Sequence, residues 1–144
     1  MSWWRVLLLA GVLPSAALAC PGLEVKGAWV REPPPASPGT AAFMSLHNAG
    51  ASALTITGWR SPQFGTTMLH ATLSSGGQTK MRGHAQLSMA PGEGIVLAPG
   101  GLHVMLMKPT GTLHEGEPVS LELSCGPQTT SFEMPVRREA PAAP

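Results

Sequence analysis

The placement of glycine and proline constrains the fold of this 144-residue chain more than any other feature. The 17 glycines and 15 prolines interrupt the sequence at short intervals, and the segments between them tend to alternate apolar and polar side chains. Proline disrupts the interior of a helix, whereas short segments bounded by Gly and Pro are typical of β-strands. We find neither a long amphipathic helical stretch nor an internal repeat. The sequence therefore predicts an all-β domain, built as an antiparallel β-sandwich.

Ten segments have the length and pattern expected of strands. They are Leu23–Val30, Thr40–Asn48, Leu54–Trp59, Thr66–Leu73, Gln78–Arg82, His84–Met89, Gly94–Leu97, Leu102–Lys108, Val119–Cys125 and Thr129–Val136. The sequence Ser74-Ser75-Gly76-Gly77 predicts the turn of a hairpin between the fourth and fifth strands. Four prolines within Glu32–Gly39 predict an extended loop, because proline and the residue before it both disfavour helix.

The amino terminus resembles a secretory signal peptide. One basic residue precedes the apolar run Val6–Leu13, and Ala17-Leu18-Ala19 forms a cleavage signal before Cys20. The apolar run is shorter than the roughly 20 residues that span a bilayer. We therefore predict a leader over 1–19, a periplasmic domain over 20–137 and a disordered tail over 138–144. The alternative is a lipid-modified Cys20, although Ala17 stands where a bacterial lipobox usually has leucine.

Charge and composition exclude several classes of function. Removing the leader leaves eight basic side chains against eight glutamates, so no basic face is available for nucleic acid or an anionic membrane. The chain has no aspartate, which weakens any site for a hard cation and any paired-carboxylate hydrolase. It has no tyrosine and few other aromatic residues, which argues against a stacking platform for sugars or bases. No catalytic triad or HExxH motif is present, so we expect no enzyme.

The two cysteines, Cys20 and Cys125, admit two interpretations. In an oxidising compartment two cysteines usually form a disulfide, which would join the mature amino terminus to a late strand. The alternative is that Cys125 is a thiolate ligand to copper. The disulfide is the favoured prediction.

Histidine and methionine share one face of two predicted strands, whereas the other face of each is aliphatic. These polar or thioether faces comprise Met68 and His70 in one strand and His103, Met105 and Met107 in the other. Successive side chains of a strand point to opposite faces. Two such strands side by side would form a His/Met patch, with Met81 contributed by the intervening hairpin.

Two imidazoles and two thioethers form a ligand set for a soft metal ion. Thioethers suit Cu(I) and bind zinc, magnesium or calcium poorly. The predicted ligands are His70, Met81, His103 and Met105, with Met68, His84 and Met107 as candidate accessory ligands. Any one of these residues alone is well explained by ordinary packing. His47 and His114 are interpreted as an ordinary strand-end residue and a loop residue.

The same residues resemble the signature of a known family, the periplasmic copper chaperones called PCuAC. That signature is a His, ten residues, a Met, twenty-one residues and then His-x-Met, and it is matched by His70, Met81, His103 and Met105. The segments Val25–Arg31, Lys80–Arg82 and Pro99–Met107 also resemble the family, and the likeness extends over Leu23–Val136.

The resemblance implies a cupredoxin-like β-sandwich that binds Cu(I) at these four residues. It also implies a monomer that delivers copper to the CuA centre of a respiratory oxidase subunit, or to another copper chaperone. Some relatives carry a further Cu(II) site in a His/Met-rich extension, but Arg138–Pro144 contains no such ligand.

Three alternatives to a copper chaperone remain open from the sequence. The first is a copper scavenger or storage protein with the same ligands. The second is a blue-copper-like electron carrier, which would need a cysteine thiolate between two histidines. The third is a metal-free adhesion or assembly module on the same sandwich.

Overall fold

The computed structural model describes residues 19–75, 78–84 and 86–142, and the side chains of these residues except 73–82 and 84. The predicted leader therefore lies outside the described residues, apart from Ala19. The described residues form eleven strands: β1 Leu23–Arg31, β2 Gly39–Asn48, β3 Leu54–Ile56, β4 Gly58–Arg60, β5 Phe64–Ser75, β6 Gln78–His84, β7 Leu87–Met89, β8 Gly94–Leu97, β9 Leu102–Pro109, β10 Pro118–Cys125 and β11 Gln128–Arg137. None of the described segments forms a helix with the length and apolar character needed to cross a membrane.

Most of the strands form one strongly curved sheet. Its order is β4-β10-β11-β1-β2-β9-β5-β6, with β8 also paired to β2, while β3 and β7 form a separate two-stranded sheet. The strand pairs are antiparallel, except that β1 lies parallel to β11. The predicted all-β sandwich is confirmed. The feature that matters for function is that β9 lies between β2 and β5.

Two predicted strands have different boundaries in the structure. Leu54–Trp59 is two strands rather than one, because β3 pairs with β7 whereas β4 pairs with β10. Thr57 lies at the break, where its backbone N–H donates to the Ser124 carbonyl at 2.7 Å. His84 ends β6 instead of beginning the next strand, and β7 is only three residues long.

One face of the sheet forms the core. The fully buried side chains include Val30, Ala42, Leu69, Val104, Leu106, Leu121 and Leu123. Burying each of the larger aliphatic side chains contributes on the order of 1.5–3 kcal/mol. The aliphatic faces of β5 and β9 therefore point inward, as the alternation predicts, and the His/Met faces lie on the opposite side of the sheet.

A disulfide closes the amino-terminal end of the domain. Cys20 is bonded to Cys125, the last residue of β10, and both are buried. The backbone N–H of Cys20 also donates to Thr130 Oγ1 on β11 at 2.9 Å. The predicted disulfide is confirmed, and Cys125 is therefore not a free thiolate.

The carboxy-terminal segment begins with a pair of ionic contacts. Arg138 Nε lies 2.9 Å from Glu32 Oε2 and 3.2 Å from Glu115 Oε2. The hydrogen bond and charge of Glu32, followed by the charge of Glu115, raise the pKa of Arg138. These contacts join the end of β11 to the proline-rich loop after β1. The disorder predicted for 138–144 stays a prediction.

Candidate functional site

The pairing of β5 with β9 brings the two predicted histidine ligands together. His70 lies directly opposite His103 in the antiparallel ladder. Their ring centroids are 6.0 Å apart, and the ring planes are inclined at 65°. Two imidazoles at this separation can converge on one ion with small side-chain rotations. Strand alternation predicts the shared face, but only the register makes the two residues neighbours.

The orientation of His103 is set by the turn that precedes β9. Gly101 N–H donates to the Ala98 carbonyl at 3.0 Å, and Gly100 has a φ of 86°, as a type II turn requires. The turn presents the Gly101 carbonyl, which lies 3.0 Å from His103 Nδ1. A carbonyl can only accept, so Nδ1 carries the hydrogen and the lone pair is on Nε2. This is the usual arrangement of a histidine that binds metal through Nε2.

The methionines of this face lie beside the histidine pair. Met105 is partly buried and lies directly opposite Met68, which is 40% exposed. Residues opposite each other in an antiparallel pair have Cβ atoms about 4.5–5.5 Å apart. Met107 is the next residue of this face along β9, and its sulfur packs over Gly39 of β2. A Cβ added to Gly39 would lie 2.5 Å from that sulfur.

The register of β6 determines where the remaining candidates lie. Met81 is paired with Thr72, two residues from His70 on β5, so its position belongs to the same face as the histidine pair. Its side chain lies outside the described residues. His84 is paired with Leu69, a core residue, so its position belongs to the opposite face. This register does not favour His84 as an accessory ligand.

Gly83 lies directly opposite His70 on β6, where it leaves space beside the imidazole. A Cβ added to Gly83 would lie 3.8 Å from both Cδ2 and Nε2 of His70, which is ordinary van der Waals contact. Any larger side chain at this position would therefore compete with a metal ion for the space around Nε2. The sequence prediction did not include this glycine.

An aromatic group packs against the other flank of His103. The Phe43 ring centroid lies 6.5 Å from that of His103 and 4.9 Å from that of Trp29. The guanidinium of Arg31 lies 5.3 Å from the Phe43 ring centroid, within cation–π range. Phe43, Arg31 and the proline-rich loop border a crevice of about 340 Å³ that reaches His103 and Met105. Larger crevices near Trp59 and beside the disulfide contain neither histidine nor methionine, and another beside the proline-rich loop contains His114 but none of the predicted ligands.

Comparison with known proteins identifies the family. The family model described as "Putative lipoprotein LpqE-like" matches residues 23–136. The solved "Copper-bound PCuAC domain from PmoF2" is 19% identical, has a TM-score of 0.69, and is matched over 88% of this chain and 99% of its own, which shows the shared fold. The Cu(I) form of DR1885 from Deinococcus radiodurans is 31% identical, has a TM-score of 0.64, and is matched over 86% of this chain and 82% of its own. The chain belongs to the PCuAC family.

A curated relative of this PCuAC protein is the "Putative lipoprotein Lxx21020" of Leifsonia xyli subsp. xyli (strain CTCB07). The two are 32% identical over 111 residues, which is 76% of this chain and 66% of that protein. The chain thus spans about two thirds of the relative's length. The predicted family and the cupredoxin-like β-sandwich fold are confirmed.

The sequence prediction for this PCuAC protein missed the residues that surround the predicted ligands. Phe43 and Gly83 border the histidines and Trp29 packs against Phe43, yet none has a side chain that signals metal binding. Strand alternation on β2 could have placed Phe43 on the outer face. Its contact with His103 depends on the pairing of β2 with β9, which alternation does not reveal. Within the described residues, His47 is an exposed partner of Glu24 at 3.1 Å and lies apart from this group.

Proposed function

We propose that this PCuAC protein binds one Cu(I) ion through His70, Met81, His103 and Met105 and carries it between proteins outside the cytoplasm. The observation that carries the proposal is the direct pairing of His70 with His103, with Met105 and the Met81 position on the same face. Each of the two methionine positions is one diagonal step from His70, a separation of about 7–8 Å between backbones. Long thioether side chains can cover that distance.

The donor chemistry of this site fits Cu(I) as the cargo. His103 Nε2 has its lone pair available, and the thioether of Met105 is a soft, neutral ligand. Among the described residues, no three His, Cys or Glu side chains gather into a group that could hold a metal ion. A site of neutral ligands holds a monovalent soft ion without the added charge of thiolates. This is suited to a carrier that must release its ion.

Two solved relatives support copper as the ion. The solved PmoF2 domain is a copper-bound form, and the solved DR1885 structure is the Cu(I) form. DR1885 is the more informative of the two for the metal ion, because its sequence is 31% identical to this one, whereas the PmoF2 domain is 19% identical. We extend copper binding from these proteins to this chain on the strength of the paired histidines described above.

The blue-copper alternative lacks its essential ligand. A blue-copper centre requires a cysteine thiolate, but Cys20 and Cys125 are the only cysteines of the chain and they are bonded to each other. An electron carrier of that kind is therefore incompatible with the oxidised protein.

We propose a periplasmic location for the copper-binding domain. The disulfide is consistent with an oxidising compartment, and the family model and the Leifsonia relative are both named as lipoproteins. A lipid anchor on Cys20 would occupy the same sulfur that is bonded to Cys125. Lipid modification and this disulfide are therefore mutually exclusive in one molecule, and the disulfide favours simple cleavage before Cys20. Intact mass of the secreted protein distinguishes the two.

A competition titration tests the proposed function. In a reducing buffer with a Cu(I) chelator, the mature protein should take up one equivalent of Cu(I). His103→Ala and Met105→Leu should weaken binding by at least about 100-fold. Met89→Leu is the control, because Met89 is a buried methionine of β7 in the separate sheet. Equal affinity in all four proteins would reject the site, and no uptake by the wild type would favour a metal-free module.

We further propose that the acceptor is the CuA-containing subunit of a respiratory oxidase, or another copper chaperone. A CuA-type site supplies thiolates, which bind Cu(I) more strongly than neutral ligands. Copper should therefore pass from this protein to a reduced, metal-free acceptor domain when the two are mixed and separated. Copper that stays with this chain at equilibrium would instead identify a scavenger or storage protein.

A further inference from the structure

Met68 is an exposed thioether at the edge of the candidate copper site, where 40% of the residue is accessible to solvent. Met68 and Val96 are the exposed large apolar residues of the described chain, and only Met68 lies on a strand of the candidate site. We propose that Met68 is the exchange ligand through which Cu(I) enters and leaves the site. The inference rests on the proposed function.

The register places Met68 next to two predicted ligands. It lies directly opposite Met105 on β9 and two residues from His70 on its own strand, on the same face. The paired part of β6 ends at the Leu69–His84 pair, one residue short of Met68. Met68 thus lies on the face of the predicted ligands, just beyond the paired part of β6.

The opposite flank of the site is less accessible. His103 is only 5% exposed, and the buried ring of Phe43 packs beside it. Met107 is partly buried, and its sulfur rests over Gly39 toward β2, which directs it away from β5. Among the described methionines of this face, Met68 is therefore the most exposed residue.

The chemistry of the step requires no other reactant. A Cu–S bond forms to Met68 as the Cu–S bond to Met105 breaks, so one neutral thioether replaces another. The ion remains Cu(I), no electron is transferred and no proton is released, because a thioether binds without deprotonation. An incoming ligand of the acceptor can then displace Met68 at the surface while the histidines still hold the ion.

The test compares Met68→Leu with Met89→Leu, a substitution in the separate β3–β7 sheet. Leucine preserves apolar bulk and removes only the sulfur, so a purely apolar contact with an acceptor would survive. For each variant and the wild type, the equilibrium affinity for Cu(I) is measured by competition with bicinchoninate. The rate of Cu(I) transfer to excess bicinchoninate is measured by stopped-flow absorbance. Thermal unfolding of the metal-free proteins verifies that each variant is folded.

We expect Met68→Leu to retain the wild-type affinity within about threefold but to transfer Cu(I) about tenfold more slowly. Met89→Leu should match the wild type in both measurements. Wild-type transfer rates in Met68→Leu would overturn the inference, as would a loss of affinity of about 100-fold, which would make Met68 a resident ligand. Failure of the wild type to bind Cu(I) would instead reject the proposed function itself.

A second measurement uses NMR to observe the methyl group bonded to the Met68 sulfur. With 13C-labelled methionine methyl groups and substoichiometric Ag(I) as a redox-stable substitute for Cu(I), the Met68 methyl resonance should broaden through exchange. The resonance of Met89, a buried residue of the separate β3–β7 sheet, should remain sharp. An unperturbed Met68 resonance under these conditions would contradict the proposal independently of any transfer rate.

Discussion

At the scale of single residues, His103 determines what the outer face of the sheet can bind. Its Nδ1 donates to the Gly101 carbonyl, and its ring is enclosed between Phe43 and His70. An imidazole ring held in this way loses little further conformational entropy when a metal ion binds. The tautomer is also fixed in advance, with the Nε2 lone pair available for coordination.

The imidazole ligands predict a pH dependence. Cu(I) and a proton compete for the same nitrogen lone pair, so the metal-bound state holds fewer protons than the free state. Affinity should therefore fall as the pH is lowered from about 7.5 to about 5. Competition titrations across this range measure the effect, and His47→Ala should leave it unchanged because His47 pairs with Glu24 instead. A flat profile would mean that the thioethers alone bind the ion.

Gly83 gives a prediction that separates copper binding from stability. Gly83→Val places a branched side chain beside His70, where even a single Cβ would lie 3.8 Å from Nε2. Valine favours a strand over glycine by up to about 1 kcal/mol. We therefore expect the metal-free variant to be at least as stable as the wild type but to bind Cu(I) about tenfold more weakly. Unfolding and competition titrations measure the two effects.

Gly83→Ala is the matched control for this substitution. Its added methyl group makes only ordinary contact with the His70 ring, so affinity should stay near the wild-type value. If Gly83→Val and Gly83→Ala bind Cu(I) equally well, the space beside His70 plays no part in coordination.

At the scale of structural elements, the turn before β9 connects the backbone to the proposed copper ligands. The Gly101 carbonyl accepts from both His103 Nδ1 and the backbone N–H of Thr72, at 3.0 Å and 3.2 Å. Thr72 in turn pairs with Met81 on β6. The Gly101 carbonyl thus links His103 of β9 to Thr72 of β5, and Thr72 is the residue that pairs with Met81 of β6.

Gly100→Ala tests this coupling. The φ of 86° at Gly100 is unfavourable for alanine, so the substitution should cost about 1 kcal/mol of stability. Because the strained turn also displaces the Gly101 carbonyl, Cu(I) affinity should fall about tenfold. Gly116→Ala is the control, since Gly116 has a similar φ of 91° but lies in the loop before β10. It should lose similar stability and keep its copper affinity; equal affinity losses would show that the turn has no special role.

Alternation within strands was enough to predict which side chains of β5 and β9 face outward, because successive residues necessarily point to opposite faces. Alternation could not predict the pairing of His70 with His103, because it does not show which residues of two neighbouring strands lie opposite each other. The same limit explains why Phe43 and Gly83 were missed and why the position of His84 was not recognised as belonging to the core face. The alternation changes phase at Thr57, since Trp59 is out of step with Leu54 and Ile56, but only the pairing with different partners shows that β3 and β4 are separate strands.

At the scale of the whole molecule, we expect the disulfide to stabilise the domain without taking part in copper binding. The bridge closes a separation of 105 residues, and a loop of about 100 residues is worth up to about 4.7 kcal/mol in the chain-entropy account. The double variant Cys20→Ser, Cys125→Ser should therefore unfold at a clearly lower temperature. Its Cu(I) affinity should stay close to that of the wild type while it is folded. Loss of copper binding in the folded variant would make a cysteine sulfur a ligand after all.

X-ray absorption of the Cu(I)-loaded protein tests the proposed coordination most directly. The account predicts a first shell of mixed nitrogen and sulfur neighbours from His70, His103, Met81 and Met105. It also predicts that Met105→Leu removes one sulfur scatterer, whereas Met89→Leu removes none. A shell of oxygen and nitrogen alone, or a sulfur contribution unchanged by both Met81→Leu and Met105→Leu, would contradict it.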